Sequence, residues 1–195
     1  MLSISNGYGE GADGTKERIL AAAASCVRDF GIERVTLAEI ARRARVSRPT
    51  IYRRWADTQS ILAALLTQRI AGVLQDTPAG GTDRAAIVER VVAVATRLRD
   101  DDLLTAVLHS APQFAMVYIT ERLGTSQQLL IDALAADLKT AQAEGSVRAG
   151  EPRQLAAMVL LVAQSTIQSA QIVEQIMPAE PLAAELTRVL NGYLR

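Results

Sequence analysis

Cysteine, histidine and aromatic side chains are nearly missing from this chain. Its 195 residues hold one Cys, one His, and 4% Phe, Trp and Tyr together. A single cysteine, Cys26, permits no internal disulfide and no cysteine-based zinc cluster, which suits a reducing cytoplasm. One histidine leaves little for acid–base chemistry. No Gly-rich phosphate loop, nucleophile elbow or His-Glu metal motif is present, so the sequence reads as a non-enzyme that needs no cofactor and no metal. Uninterrupted apolar runs are short. The longest, Leu155 to Ala163, is too brief to cross a bilayer. The N-terminus lacks a basic stretch followed by an apolar one, so no secretory signal is expected. The reading is a soluble, cytoplasmic protein without a membrane partner.

What fills the chain is aliphatic and helix-forming. Ala, Leu, Arg, Gln and Glu lose little on entering a helix, and Gly and Pro fall mostly between apolar stretches. The expectation is an all-α protein of about nine helices. Net charge is zero, yet unevenly spread: residues 1–60 carry ten basic against seven acidic side chains, and residues 61–195 carry eleven against fourteen. Between 42 and 54 stand six arginines and no acid. A positive patch on a neutral protein points to an anionic partner for one face, or to an ordinary solvated helix surface.

Residues 1–14 contain four glycines and read as a flexible tail. A first helix is expected from an N-cap at Thr15 to Gly31, with Ile19, Leu20, Ala23, Val27 and Phe30 at helical spacing and Cys26 packed inside. A second starts at Thr36, where Glu39 completes a capping box. A third starts at the N-cap Ser47 and ends near Trp55. A fourth is opened by Asp57 and carries Ile61, Leu62, Leu65, Leu66, Ile70 and Val73. Beyond the break Thr77-Pro78-Ala79-Gly80-Gly81, helices are expected over 83–99, 102–109, 112–144 (with a kink near Gly124), 151–176 and 180–194. The triplet Asp100-Asp101-Asp102 suits the start of a helix better than a metal.

Residues 36–55 have the layout of a helix-turn-helix: two short helices and a tight turn, locked by Ile40, Ala41, Val46 and Ile51. The second helix offers Arg48, Thr50, Tyr52, Arg53 and Arg54, which are donors and planar groups suited to phosphates and guanine edges in a major groove. A basic bundle that binds a protein is the alternative reading.

At this point the sequence resembles a known family. Residues 15–75 are similar to the DNA-binding domain of the TetR-type repressors. The resemblance rests on Ile19-Leu20-Ala21-Ala22-Ala23 leading to Phe30-Gly31, on Val35-Thr36-Leu37-Ala38-Glu39-Ile40-Ala41, and on Val46-Ser47-Arg48-Pro49-Thr50-Ile51-Tyr52-Arg53-Arg54-Trp55. Gly145 to Ala157 is similar to the family's entry to its penultimate helix. The resemblance implies a three-helix DNA-binding domain over residues 15–60 and a helical effector-binding and dimerisation domain over 61–195. Thr36 would cap the second helix against a phosphate. Ser47, Thr50 and Tyr52 would hold the backbone, while Arg48, Pro49 and Arg53 approach bases or nearby phosphates. Arg54 and Trp55 occupy positions the family fills with aromatics, with Trp55 packing inward. Two departures stand out. Arg45 occupies a turn position usually held by Gly, at roughly 1 kcal/mol or more if its backbone is left-handed. Thr58 follows Asp57 where the family places a phosphate-binding lysine, and the arginine-rich third helix is a candidate offset.

The resemblance also implies the partners: a palindromic double-stranded operator, a second copy of the chain, and a small apolar effector. One helix-turn-helix reads few base pairs, so two must sit about one DNA turn apart on a two-fold site. Leu160, Ile167, Leu186, Val189 and Leu190, on the last two helices, are candidate dimer contacts or intramolecular core. Gln164, Gln168 and Gln171 form a polar stripe whose amides need partners, supplied by a ligand or by a dimer interface. His109, Phe114 and Tyr118 are candidate pocket residues. The function expected is a sequence-specific, ligand-released homodimeric repressor; the alternatives are a ligand-independent regulator and a helical adaptor that binds no DNA.

Overall fold

The computed structural model describes residues 10–110 and 124–195. Among them there are nine α-helices and one 3-10 turn, with no strand. They are α1 (Glu10–Phe30), the 3-10 turn Ile32–Arg34, α2 (Leu37–Ala44), α3 (Arg48–Tyr52), α4 (Thr58–Gln75), α5 (Arg84–Arg99), α6 (Asp102–Ser110), α7 (Thr125–Ala143), α8 (Pro152–Val173) and α9 (Ala179–Tyr193). The all-α expectation holds.

Two compact units divide the described residues. One runs to Gln68 and takes in α6; the other holds Arg69–Asp101 and the chain from 124 onward. In the first, Ile19, Leu20, Ala23 and Cys26 of α1 meet Ile40 and Ala41 of α2, Ile51 of α3, Trp55, and Ile61 and Leu65 of α4, with Leu103 of α6 against them. Helices as short as α2 and α3 hold their shape through this shared core, since isolated helices of that length are not stable in water. Trp55 packs inward, as the resemblance implied.

α1 starts five residues earlier than the Thr15 cap expected, so residues 10–14 are helix rather than tail and Thr15 lies inside α1. Gly11 and Gly14 each disfavour helix by about 1 kcal/mol. A long helix with a fully buried stripe carries that cost, and acidic residue types near its start suit the positive end of its dipole. α1 ends at Phe30 because Gly31 turns to φ +73°.

In the second unit, Ile131, Ala135, Leu138 and Ala141 of α7 pack on Leu155, Ala156 and Val159 of α8, with Ile87, Val88 and Ala95 of α5 and Leu186, Leu190 and Leu194 completing the core. Arg90 donates to the Thr77 carbonyl (2.9 Å) and to Asp137 Oδ2 (2.9 Å), fastening the exit of α4 to α7. Arg148 stacks 4.7 Å from the Tyr193 ring centre and donates to the Tyr193 carbonyl (2.8 Å), which fixes the C-terminus.

Two sequence readings gain detail here. α8 is, by length and composition, apolar enough to cross a membrane, although no uninterrupted apolar run reaches that length. It packs on α5, α7 and α9. The aspartate triplet does not act as one unit: Asp100 pairs with Arg99, Asp101 is buried and takes the guanidinium of Arg69, and Asp102 begins α6.

Candidate nucleic-acid interface

Thr36 caps α2, its hydroxyl accepting the Glu39 N–H at 3.2 Å. Only this half of the expected capping box forms. The Glu39 carboxylate turns to two arginines instead: Arg42 donates through Nε (2.8 Å) and Nη2 (2.6 Å), and Arg43 through Nε (2.9 Å). These charge-assisted bonds, from Arg42 first and then Arg43, lower the Glu39 pKa from 4.5 to about 2. Charge-assisted bonding outcompetes a single neutral N–H, which explains the missing half of the box.

Arg43 is a strut between α2 and α1. Its Nη1 donates to Ser25 Oγ (2.7 Å) and to Asp29, and its guanidinium carbon lies 4.7 Å from the Phe30 ring centre. Cys26 sits next to this cluster, fully buried, and burial pushes its thiol pKa up. The sequence signal for the strut was present as Ser25, Asp29 and Phe30 one turn apart on α1, but nothing local named Arg43 as their partner.

The turn after α2 is closed by Val46 N–H to the Ala41 carbonyl (3.1 Å) and Arg45 N–H to the Arg42 carbonyl (3.3 Å). This paired pattern needs a left-handed residue. Arg45 supplies it at φ 53°, ψ 47°, and no other non-glycine residue among those described has positive φ. The expected strain at Arg45 is therefore present. Ser47 caps α3, its Oγ accepting the Thr50 N–H at 3.3 Å. Pro49 in the first turn needs no hydrogen-bond partner for its nitrogen.

Within α3 only Ile51 is buried, and it is completely so. Ser47, Arg48, Pro49, Arg53 and Arg54 are exposed around it, Tyr52 is 58% exposed, and Thr50 is half-buried. Arg45, also exposed, stands just before them. Among the described residues, Arg45, Arg48 and Arg53 enter no ion pair, whereas Arg42 and Arg43 are held by acids. Two of the six arginines in the basic run are thus paired with acids, although Arg42 stays exposed on α2, and the exposed arginines outside ion pairs lie on the turn and at α3 and its end. Thr58 is half-buried at the start of α4, directly after Asp57, whose Oδ1 accepts the Ser60 N–H at 2.7 Å.

Of the residues expected to meet an effector, only Gln164, Gln168 and Gln171 have described side chains. The side chains of His109, Phe114 and Tyr118 lie outside the described residues. Gln168 and Gln171 are exposed in the single chain. Gln164 is half-buried, and its Oε1 already accepts from Gln127 Nε2 at 3.1 Å. Gln127 is itself buried and takes the Gly124 N–H at 2.7 Å. Of the dimer candidates, Leu186 and Leu190 are buried in the core of their own unit, which fits the intramolecular alternative. Leu160 and Ile167 pack partly against that core. Val189 is 52% exposed, and the sequence reading missed Leu161 (61%), Ile172 (83%) and Ile176 (86%). The run Leu155–Ala163 is apolar all round, so spacing alone did not set the exposed side of Leu161 apart, and Ile176 lies beyond the end of α8.

The model of bacterial regulatory proteins of the tetR family matches residues 19–65. An HTH-type transcriptional regulator of Mycobacterium tuberculosis is 63% identical over 194 residues, spanning 100% of both chains. Among solved structures, the R. erythropolis transcriptional repressor QsdR from the TetR family superposes with a TM-score of 0.71 at 18% identity, covering 94% of this chain and 97% of that one. The Thermus thermophilus TetR-family repressor FadR, in complex with lauroyl-CoA, gives a TM-score of 0.63 at 23% identity, covering 91% and 92%. The match falls on the helices that carry the capped turn and the exposed arginines, and the protein is a transcriptional regulator of the TetR family.

Proposed function

We propose that this regulator is a cytoplasmic homodimeric repressor that sets two copies of α3 into a palindromic operator and is released by a small effector with apolar character. The observation that carries the reading is the set of exposed groups around buried Ile51: Arg48 and Tyr52 on α3, Arg53 at its C-terminal end, and Arg45 in the turn before it. Guanidinium groups on a short helix suit guanine edges and phosphates. Thr36, Ser47, Thr50 and Thr58 add hydroxyls for the phosphate backbone, and Pro49 and Arg54 complete the contact surface. Residues 15–60 form the DNA-binding part, and 61–195 the effector-binding and dimerisation part. The presence of two separate hydrophobic cores supports two parts, with residues 61–68 and α6 packing into the first of them.

Dimerisation is supported by Leu161, Ile172 and Val189, large apolar side chains left exposed on α8 and α9. The lauroyl-CoA bound by the Thermus thermophilus repressor supports an effector with an acyl or similarly apolar part. Selection of bound duplexes from a random pool tests the reading. The expected result is an inverted repeat with half-sites about 34–36 Å apart centre to centre. Failure to enrich any sequence, or enrichment of one asymmetric half-site by a monomer, would remove it.

A further inference from the structure

Glu39 is the only acid between Thr36 and Trp55, and it faces two guanidinium groups at once. The two respond differently to its presence. Arg43 has Ser25, Asp29 and the Phe30 ring to hold it on α1 whether or not Glu39 is charged. Arg42 has Glu39 alone among the described residues, in a two-pronged pair, with its side chain 70% exposed. Arg42 also lies one helical turn before Arg45, next to the exposed turn that leads into α3.

Resting on the DNA-binding reading, we propose that Glu39 is a specificity-determining residue that restrains non-specific binding by withholding Arg42 from phosphates. An exposed ion pair is weak, so the bond by itself does not keep Arg42 from a polyanion. The carboxylate does so by its charge. Drawing Arg42 onto a phosphate leaves Glu39 with Arg43 alone, a cation already shared with Asp29, and the net negative charge facing the duplex offsets the gain. Non-specific binding is nearly all phosphate charge, whereas base contacts carry the sequence preference. Removing one cation from phosphate contact therefore weakens binding to wrong sequences while leaving α3 unaltered.

The test measures binding of a scrambled duplex by fluorescence anisotropy between 50 and 200 mM salt, using the full-length wild type, Glu39→Gln, Arg42→Ala and the double variant. Each phosphate contact adds about 0.9 to the slope of log affinity against log salt. Glu39→Gln should steepen the slope by about that amount, so that its gain over wild type is about threefold larger at the low-salt end. The double variant should return to the wild-type slope, and Arg42→Ala, which leaves the Glu39 charge to Arg43 alone, should not steepen it. Arg42→Ala alters only an exposed side chain, and a steeper slope in it would overturn the inference even if Glu39→Gln fails to fold. A loss of about one contact in the double variant relative to wild type would overturn the inference, because Arg42 would already be touching phosphate. An unchanged slope in folded Glu39→Gln would overturn it equally. Absence of any wild-type binding at the lowest salt would remove the DNA-binding reading, and this inference with it.

Discussion

Ser47 Oγ and Thr50 Oγ1 stand 2.7 Å apart in the first turn of α3. Either hydroxyl can donate to the other, and in both cases one O–H proton remains for an anion outside. Ser47 also accepts the Thr50 N–H, so a single side chain both ends the turn and prepares a donor. Ser47→Ala removes the cap and should destabilise the fold by about 1 kcal/mol. It should weaken duplex binding beyond that effect, because the pairing that orients Thr50 is lost. Ser47→Gly loses the same hydroxyl but only a few tenths of a kcal/mol of cap stability. Equal DNA affinity in wild type and the Gly variant would exclude Ser47 from contact.

Arg45→Gly separates stability from binding. A left-handed non-glycine residue costs of the order of 1 kcal/mol, and glycine relieves that cost while adding freedom to the unfolded chain. The net expectation is a gain of up to about 1 kcal/mol in denaturant unfolding. Duplex affinity should fall at the same time, with a shallower salt dependence by about one contact, since an exposed guanidinium is removed. A variant that is more stable and binds DNA as well as wild type would show that Arg45 serves neither phosphate nor base.

Arg48→Ala should weaken operator binding by about 1–3 kcal/mol if the guanidinium reads a guanine. Titration of the variant against operator and scrambled duplex decides its role. A loss confined to the operator assigns base readout, and an equal loss on both assigns phosphate positioning.

Local features were legible in the sequence because they are written in adjacent residues. The caps at Thr36 and Ser47 and the locking quartet Ile40, Ala41, Val46 and Ile51 follow from spacing and residue type, and the strained turn at Arg45 from the family resemblance. Contacts chosen by long side chains were not legible. Glu39 had three candidate partners within one turn, the Thr36 N–H, Arg42 and Arg43, and only the folded geometry selects the two guanidiniums. Arg43 finds its remaining partners 14 and 18 residues away, beyond any helical period. The same limit applies to α9: Leu186, Val189 and Leu190 are all apolar at helical spacing, yet Val189 alone of the three is exposed.

Acid should unlock the Glu39 clamp with a defined sign. Its folded pKa, about 2, lies below the ordinary value of 4.5, so the charged form is preferred in the folded state. The stability this contributes is present above about pH 4.5 and is lost as pH falls towards 2. Denaturant unfolding of wild type and Glu39→Gln across pH 2 to 7 reads the difference directly. That difference should be level at neutral pH and shrink through the acid range. A gap that stays constant down to pH 2 would mean that the carboxylate charge contributes nothing to holding α2.

Leu161 and Leu190 make opposite predictions, although both are leucines on the last two helices. Leu190 is completely buried within its own unit, so Leu190→Ala should destabilise the fold by about 2–5 kcal/mol through lost contact and the cavity left behind. Leu161 is 61% exposed on α8, and a charge there meets solvent in a monomer. Leu161→Glu should therefore leave the unfolding of the monomer unchanged but place two desolvated carboxylates in a two-fold interface, where neither has a partner. Sedimentation of the variant should show monomer at concentrations where wild type is dimeric, and operator affinity should fall with it, because a single α3 reads only a half-site. A Leu161→Glu protein that sediments as a dimer and binds the full palindrome would move the interface off the exposed face of α8.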